Sequence, residues 1–420
     1  MPFDPQRIRA QFPALALQDE NRPRIYLDNP GGTQAPRQVI DRITHYLVHT
    51  NANHGGRFRT SQESDAVLDE AHRAMADLLN APSPDEIVFG PNMTSLTFAV
   101  SRSLAHWLKP DDEIILTRMD HDANVSPWLR IAPEREVVVK WLDFSPETYR
   151  YNLNDLEGLL TERTRLVAVN YASNALGTIN DVKAIADMAR AAGALVFVDA
   201  VQYVPHGPTD VQALGCDFLA CSLYKLFGPH AGVLWGKQEL LARLPAYKVR
   251  PADARPPGKF ETGTQNHEGQ AGALGALEYL AWVGEALAKE HHAQYAHFVG
   301  RRQYLHAGMA AIKQYEQTLS AHLIAGLQQI PGLTIHGLTD PARLADRVPT
   351  VSFTLEGHHP ADIAQALAAE NIYVWDGNYY AVEVLNRLGL ADTGGMLRVG
   401  AVHYNTTGEL DRLIQIVATL

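Results

Sequence analysis

The chain has 420 residues, 46% of them hydrophobic and 20% charged, with a net charge of −11. That length and balance give a globular protein of roughly two or three domains with an ample core. An acidic chain without a long basic run excludes nucleic acid or an anionic membrane as its main partner. The two cysteines, Cys216 and Cys221, lie close together. They suggest neither a disulfide framework nor a zinc site, and no metal is expected. The opening MPFDPQRIRAQFPAL has no apolar core of signal length, and no stretch approaches a membrane span, so a cytoplasmic enzyme is expected.

Asp4 to Phe12 predicts a short helix, with Asp4 as N-cap and Pro5 at the first helical position. Ile25 to Leu27 predicts a strand that ends at Asp28-Asn29-Pro30-Gly31-Gly32-Thr33. No GK[ST] follows, so this is not a P-loop. The glycine pair reads either as a turn or as backbone that a ligand approaches closely. An amphipathic helix is expected over Gln38 to Val48, a polar loop over Asn51 to Ser61, and a helix over Ser64 to Leu79.

Glu86 to Phe89 predicts a strand, followed by Gly90-Pro91-Asn92-Met93-Thr94-Ser95 and an apolar helix. A strand, a small polar turn and a helix N-terminus together suit a phosphate, though Ser and Thr cap helices everywhere. Further strands are predicted at Glu113 to Leu116, before Met119-Asp120-His121-Asp122, and at Arg165 to Val169, before Asn170-Tyr171-Ala172-Ser173-Asn174. Val182 to Ala192 predicts a helix. Ala194 to Val198 is apolar throughout, the mark of a strand buried on both faces, and it stops at Asp199. Phe218 to Cys221 repeats the pattern and leads into Ser222, Tyr224 and Lys225. Polar residues therefore collect at the ends of alternating strands and helices, which describes a doubly wound, mainly parallel sheet. Ligands of such sheets sit beyond the carboxyl ends of the strands.

Lys225 lies among Tyr224, Leu226 and Phe227. Poor solvation favours the neutral amine, the nucleophile of Schiff-base chemistry. A buried aspartate facing a pyridinium nitrogen is the other half of pyridoxal phosphate (PLP) chemistry. Taken alone, the two residues fit an N-cap aspartate and a snorkelling lysine more readily. Beyond them, Phe260-Glu261-Thr262-Gly263-Thr264-Gln265-Asn266 precedes a helix over Gly269 to Leu280. Gly284 to Gln329 reads as strongly helical. Val351 to Thr354, Pro360 to Glu370, Met396 to Val399 and Gly408 to Ala418 give strand, helix, strand and helix, a small α+β unit.

Seven ordered segments carry a resemblance: YLDNPGGTQAP, MDHDAN, YASNALGT, VDAVQ, SLYKLFGP, FETGTQN and LRVGAVHYNT. With them the chain resembles the class V aminotransferase family of fold-type-I PLP enzymes, and within it the cysteine desulfurase-like branch. The resemblance implies an α/β chain with the aspartate aminotransferase-like PLP-dependent transferase fold. A large domain over 21–285 would hold a mainly parallel, seven-stranded-type sheet. Residues 1–20 would pack with a small C-terminal domain over 286–420.

It also implies roles. Lys225 would hold PLP covalently and act in catalysis, and Asp199 would pair with the pyridinium nitrogen. His121 would stack on the ring and share in catalysis. Asn174 and Gln202 would hydrogen-bond the ring oxygen. Thr94, Ser95, Ser222 and Tyr224 would surround the phosphate, although desulfurases usually carry His where Tyr224 stands. Gly263 and Thr264 would reach the phosphate of a neighbouring subunit, which makes the protein a homodimer with shared active sites. Arg398 would grip the carboxylate of an amino-acid substrate, with Asn29, Gly31 and Tyr380 beside it. Asn378, Tyr379, His54 and Arg57 are further candidates for the mouth, from loop position.

One segment departs from the pattern. Related desulfurases carry a mobile loop with a sulfur-accepting cysteine, and Trp375 to Ala381 stands there with Tyr380 at the cysteine's place. A tyrosine cannot form a persulfide. The expectation is therefore a C–S or C–Se lyase, or a β-eliminating enzyme, without a persulfide cysteine. Aminotransfer or epimerisation is the alternative, and a non-catalytic PLP-binding protein a remote one.

Overall fold

In the computed structural model, which describes residues 3–420, the two apolar runs that end at Asp199 and Ser222 lie at the centre of a seven-stranded sheet. Its strands are β1 (Ile87–Gly90), β2 (Glu113–Thr117), β3 (Val138–Leu142), β4 (Thr164–Asn170), β5 (Leu195–Asp199), β6 (Phe218–Ser222) and β7 (Gly232–Gly236). Their order across the sheet is β1-β7-β6-β5-β4-β2-β3. β5 pairs in parallel with both β4 and β6, and only β7 runs against the rest. The side chains alternate as a two-sided buried strand requires. Val196, Val198, Leu219 and Cys221 enter one core, and Phe197, Phe218 and Ala220 enter the other. Phe197 and Phe218 are fully buried, which is worth roughly 1.5–3 kcal/mol per side chain.

β3 and β7 were not assigned from the sequence. β3 is an edge strand carrying Lys140, whose ammonium is held by Glu113 at 2.7 Å. β7 begins and ends in glycine, which weakens its strand signature.

The helices that matter for the site are α1 (Pro5–Arg9), α2 (Arg37–His45), α3 (Arg59–Leu79), α4 (Met93–Leu104), α5 (His267–Leu287) and α6 (Arg301–Leu327). Asp4 caps α1 through the Gln6 and Arg7 amides as expected. The helix stops at Arg9, short of the expected Phe12. α3 begins at Arg59, five residues before the expected start. The long helical stretch expected over Gly284 to Gln329 is broken: α5 ends at Leu287, a short turn follows, and Gly300 with φ +60 precedes α6.

The C-terminal part forms an antiparallel sheet of β8 (Leu333–His336), β9 (Thr350–Leu355), β10 (Trp375–Gly377) and β11 (Met396–Gly400), in the order β8-β9-β11-β10. Its apolar face packs on α6 through Leu319, Leu323 and Leu327. The segment Ile25–Tyr26, expected within the large domain, pairs in parallel with Ile372–Tyr373, and Asp28 bridges to Gly400. This segment thus ties the N-terminal region to the second sheet, and it brings Asp28 beside Arg398.

Candidate active site

The carboxyl ends of β4, β5 and β6 and the start of α4 surround one cleft. Its walls include Thr94, His121, Asn174, Asp199, Gln202, Ser222, Tyr224 and Lys225. Eight of the residues assigned from the sequence therefore converge, although they are spread over 132 positions of the chain (225 − 94 = 131 steps). Strand ends in parallel register bring this about, since Asp199 lies level with Ala220 on β6 and with Asn170 on β4.

Lys225 is 7% exposed. Burial, then the Arg398 charge, push its ammonium down to about 8, against partial support from Asp199 and Asp28. Asp199 is pushed up to about 6 by burial, while the Val201 amide, 2.9 Å from Oδ1, and Lys225 oppose the rise. His121 is pushed down to about 3 by burial and by the Lys225 and Arg398 charges. Its Nδ1 accepts from the Ala123 amide at 3.0 Å, so the ring is held in place and neutral.

The start of α4 reaches the cleft through Met93 and Thr94. This helix has twelve residues, and Asn92 caps it by accepting from the Ser95 amide at 2.8 Å. β7 passes directly beneath, and a Cβ on Gly232 would lie 2.3 Å from the Asn92 carbonyl carbon. Only glycine lets the strand run so close to the helix start. Gly232 was missed in the sequence because a glycine inside a strand has no motif of its own.

Two buried polar atoms on the cleft residues have no partner, Asn174 Oδ1 and Gln202 Oε1. Buried polar atoms are normally satisfied, so these mark places where a polar ligand completes the site. With an amine-bearing lysine, a carboxylate at the strand end, a flat neutral imidazole and a helix-start cradle, the residues fit PLP.

Arg398 is 4% exposed. Its Nη2 donates to Asp28 Oδ1 at 3.0 Å and its Nη1 to the Asn174 carbonyl at 3.3 Å, while Nε has no partner. The Tyr379 ring lies 4.5 Å from its guanidinium carbon. Burial raises the Asp28 carboxyl, and Arg398 opposes the rise. Asp28 went unassigned in the sequence, and the strand end followed by a glycine pair was the signal for it. Gly31 is needed there, because a Cβ would lie 2.4 Å from Asp28 Oδ2.

Of the remaining assigned residues, Tyr380 stands at the cleft mouth and the others do not line it. Asn29, expected at the substrate, is 3% exposed and fully engaged. Its Nδ2 donates to the Gly400 and Tyr26 carbonyls and to Asn405, and its Oδ1 accepts from Tyr404. The geometry gives it a structural task. Ser95 is exposed on the outer side of α4. Gly263 and Thr264 are exposed in a second groove, with His54, His72 and Glu261, and do not reach this cleft within one chain. Arg57 is exposed and Asn378 lies at the surface. Tyr380 is 70% exposed, and its ring stacks on His121 at 5.3 Å and 23°. Both Tyr379 and Tyr380 have positive φ, 52° and 58°. Such backbone costs roughly 1–3 kcal/mol per residue and persists only where surroundings hold it. Here the Asp122 amide donates to the Tyr380 carbonyl at 2.7 Å, and Asn174 Nδ2 donates to the Tyr379 carbonyl at 2.9 Å. His230 stacks on Tyr224 at 5.2 Å and so places an imidazole beside the residue that replaces the usual histidine.

A lysine and an aspartate at adjacent strand ends, below a helix-start cradle, define a PLP-dependent enzyme of the aspartate aminotransferase fold. The profile described as Aminotransferase class-V matches residues 25–303 and 302–413, and the chain belongs to that family. A protein of Gibberella zeae named as aminotransferase-like is 38% identical over 98% of this chain and 97% of its own length. A cysteine desulfurase of Serratia proteamaculans is 33% identical over 99% of this chain and 97% of its own. Among solved structures, the apo cysteine desulfurase of Thermococcus onnurineus superposes with a TM-score of 0.86 at 26% identity, covering 100% of this chain and 98% of that one. The Escherichia coli cysteine desulfurase CsdA gives 0.82 at 29% identity, covering 99% and 98%. The chain is a cysteine desulfurase-like, PLP-dependent enzyme of class V.

Proposed function

We propose that the enzyme cleaves a C–S or C–Se bond, or eliminates a β-substituent, from an α-amino acid without loading sulfur on a cysteine of its own chain. The observation that carries this is the residue facing His121 across the cleft mouth, which is Tyr380 and not a thiol. Cys216 and Cys221 do not replace it. Both are at most 1% exposed and are pushed up to about 12 by burial, so neither supplies a thiolate.

When bound, PLP supplies an electron sink for the bond broken at the substrate's Cα or Cβ. The protein's own groups do the rest. Asp199 would keep a proton on the pyridine nitrogen, and Thr94, Ser222 and the α4 amides would hold the phosphate. Arg398 binds the substrate carboxylate, for which a planar fork suits better than an ammonium. Lys225 would hold the cofactor and, as a free amine, would move the proton at the substrate's Cα, and an ammonium at about 8 suits a group that must both accept and release it. The Tyr379 ring lies over Arg398 and the Tyr380 ring stacks on His121.

Aminotransfer is the second reading, favoured by the aminotransferase-like name of the Gibberella zeae relative. Epimerisation uses the same groups. Gly263 and Thr264, exposed in their groove, would complete a partner's phosphate site in a homodimer with shared active sites. No helix among the described residues is long and apolar enough to cross a membrane, and the cytoplasm is the proposed location.

The test is purified protein with PLP and a panel of cysteine, cysteine sulfinate, selenocysteine and cysteine conjugates. The loaded protein should be yellow, and Lys225→Ala should abolish the band. Pyruvate or alanine release supports cleavage, while conversion of an added 2-oxo acid to an amino acid supports aminotransfer. A protein left colourless by added PLP would refute both.

A further inference from the structure

The function proposed above uses Tyr380 only for the thiol it lacks, yet its segment is bound closely to the turn that carries His121. The Asp122 amide donates to the Tyr380 carbonyl at 2.7 Å. The Tyr380 ring stacks on the His121 ring, with centroids 5.3 Å apart and planes 23° apart. Met119 shares one buried apolar cluster with Ala381, Val384 and Leu385. Arg118, just ahead of His121, pairs with Glu383 on the helix Val382–Leu388, and Arg387 of the same helix reaches Asp143 at 2.9 Å. Such partly exposed ion pairs are each weak, but with the apolar cluster they fix the register of one stretch against the other. Tyr380 is also pinned from its own side. Its amide donates to Asn378 Oδ1 at 3.0 Å, and the Tyr379 carbonyl before it accepts from Asn174 Nδ2 at 2.9 Å.

His121 needs such a neighbour. The terminal torsion of a histidine side chain is broad and not locked in narrow wells. One hydrogen bond at Nδ1, from the Ala123 amide at 3.0 Å, holds an edge of the ring and leaves the plane free to swing about it. A second ring on its face removes that freedom. The spacing and modest tilt are those of an offset aromatic pair. Burial and the Lys225 and Arg398 charges keep the imidazole uncharged, so it stacks as a flat neutral ring. His121 lines the cleft and Tyr380 does not, so the tyrosine covers the imidazole from the mouth and leaves its cleft side to a ligand.

We propose that Tyr380 is a positioning residue whose ring backs the His121 imidazole and sets its plane for the cofactor ring. The segment that carries a sulfur-accepting thiol in related desulfurases is here a fixed support. The inference rests on the PLP reading given above, but not on which bond is broken, since cleavage and aminotransfer both need the ring held.

Two measurements test it. In the full-length protein without cofactor, the His121 ring protons, assigned by NMR difference with His121→Gln, should be displaced by the Tyr380 ring current. Tyr380→Leu should remove that displacement and Tyr380→Phe should keep it. His121 protons unmoved by Tyr380→Leu would overturn the proposal. Tyr380 is 70% exposed, so both variants should fold with the wild-type melting temperature. Second, Tyr380→Leu should weaken PLP binding roughly two- to tenfold, the worth of an aromatic pair. It should also reduce the visible circular dichroism of the loaded protein, while Tyr380→Phe should keep both at the wild-type level. In a His121→Gln background, Tyr380→Leu should cause no further loss. An unchanged affinity, an equal loss in both backgrounds, or a loss in Tyr380→Phe as large as in Tyr380→Leu would overturn the proposal. Wild-type protein that takes up no PLP would overturn the cofactor reading, and the NMR comparison would still decide whether Tyr380 backs the imidazole.

Discussion

Raising the pH of the cofactor-free protein should speed covalent capture of PLP by Lys225, with a midpoint near 8. Only the neutral amine attacks an aldehyde. With an ammonium at about 8, the neutral fraction at pH 7 is ~9%, against ~0.03% for an ordinary lysine at 10.5, a gain of about 300-fold. Burial is the first cause and the Arg398 charge the second, so Arg398→Gln should move the midpoint upward yet leave it below 10.5. The assay is the initial rate of borohydride-trapped cofactor between pH 6 and 10. The same displacement has a signature in stability. Between pH 8 and 10.5 the unfolded chain holds the Lys225 proton that the folded chain has lost, so folding stability from this group rises with pH across that window. It is at its lowest below pH 8. The full amplitude is about 3 kcal/mol, from 10.5 − 8 = 2.5 pH units at 1.36 kcal/mol each. The urea midpoint of the wild type should therefore gain on that of Lys225→Met over this range. A capture rate that climbs tenfold per pH unit through 8 to 10 without a plateau would refute the argument, because it would show an amine as well solvated as a free lysine.

Gly232→Ala should cost about 1–3 kcal/mol of stability and weaken PLP binding, because its Cβ would meet the Asn92 backbone at 2.3 Å and displace the start of α4. Thermal unfolding and a cofactor titration would check both, and unchanged affinity would mean that the helix start is not the cradle. Native protein should resist iodoacetamide at Cys216 and Cys221, and the Cys216→Ala/Cys221→Ala variant should keep its cleavage activity. Loss of sulfide release in that variant would restore a persulfide route.

The strand-end aspartate and lysine, the small polar turn before the helix that starts at Met93 and the alternation of strands and helices are legible in the sequence because each is a local rule. Apolar runs such as Ala194 to Val198 must be buried on both faces, and a buried strand in such a sheet delivers its last residue to the ligand edge. The cofactor class follows from those ends and from the ordered motifs. Local rules are silent wherever the partner is distant in the chain. Thr94 and Ser95 are adjacent, equally polar and both exposed, and only the folded chain shows that Thr94 is in the cleft wall. Asn29 looked like a ligand residue beside a glycine pair, and the return of β11 and Asn405 instead gave it four partners of its own. Gly232 shows its purpose only once β7 is seen to run beneath α4. Asp28 meets Arg398 because Ile25–Tyr26 pairs with Ile372–Tyr373 and Asp28 bridges to Gly400, pairings across about 350 residues that no periodicity encodes. The sequence thus determined the cofactor chemistry, and the tertiary structure decided which neighbours tune it, since electrostatics and packing depend on distance in space.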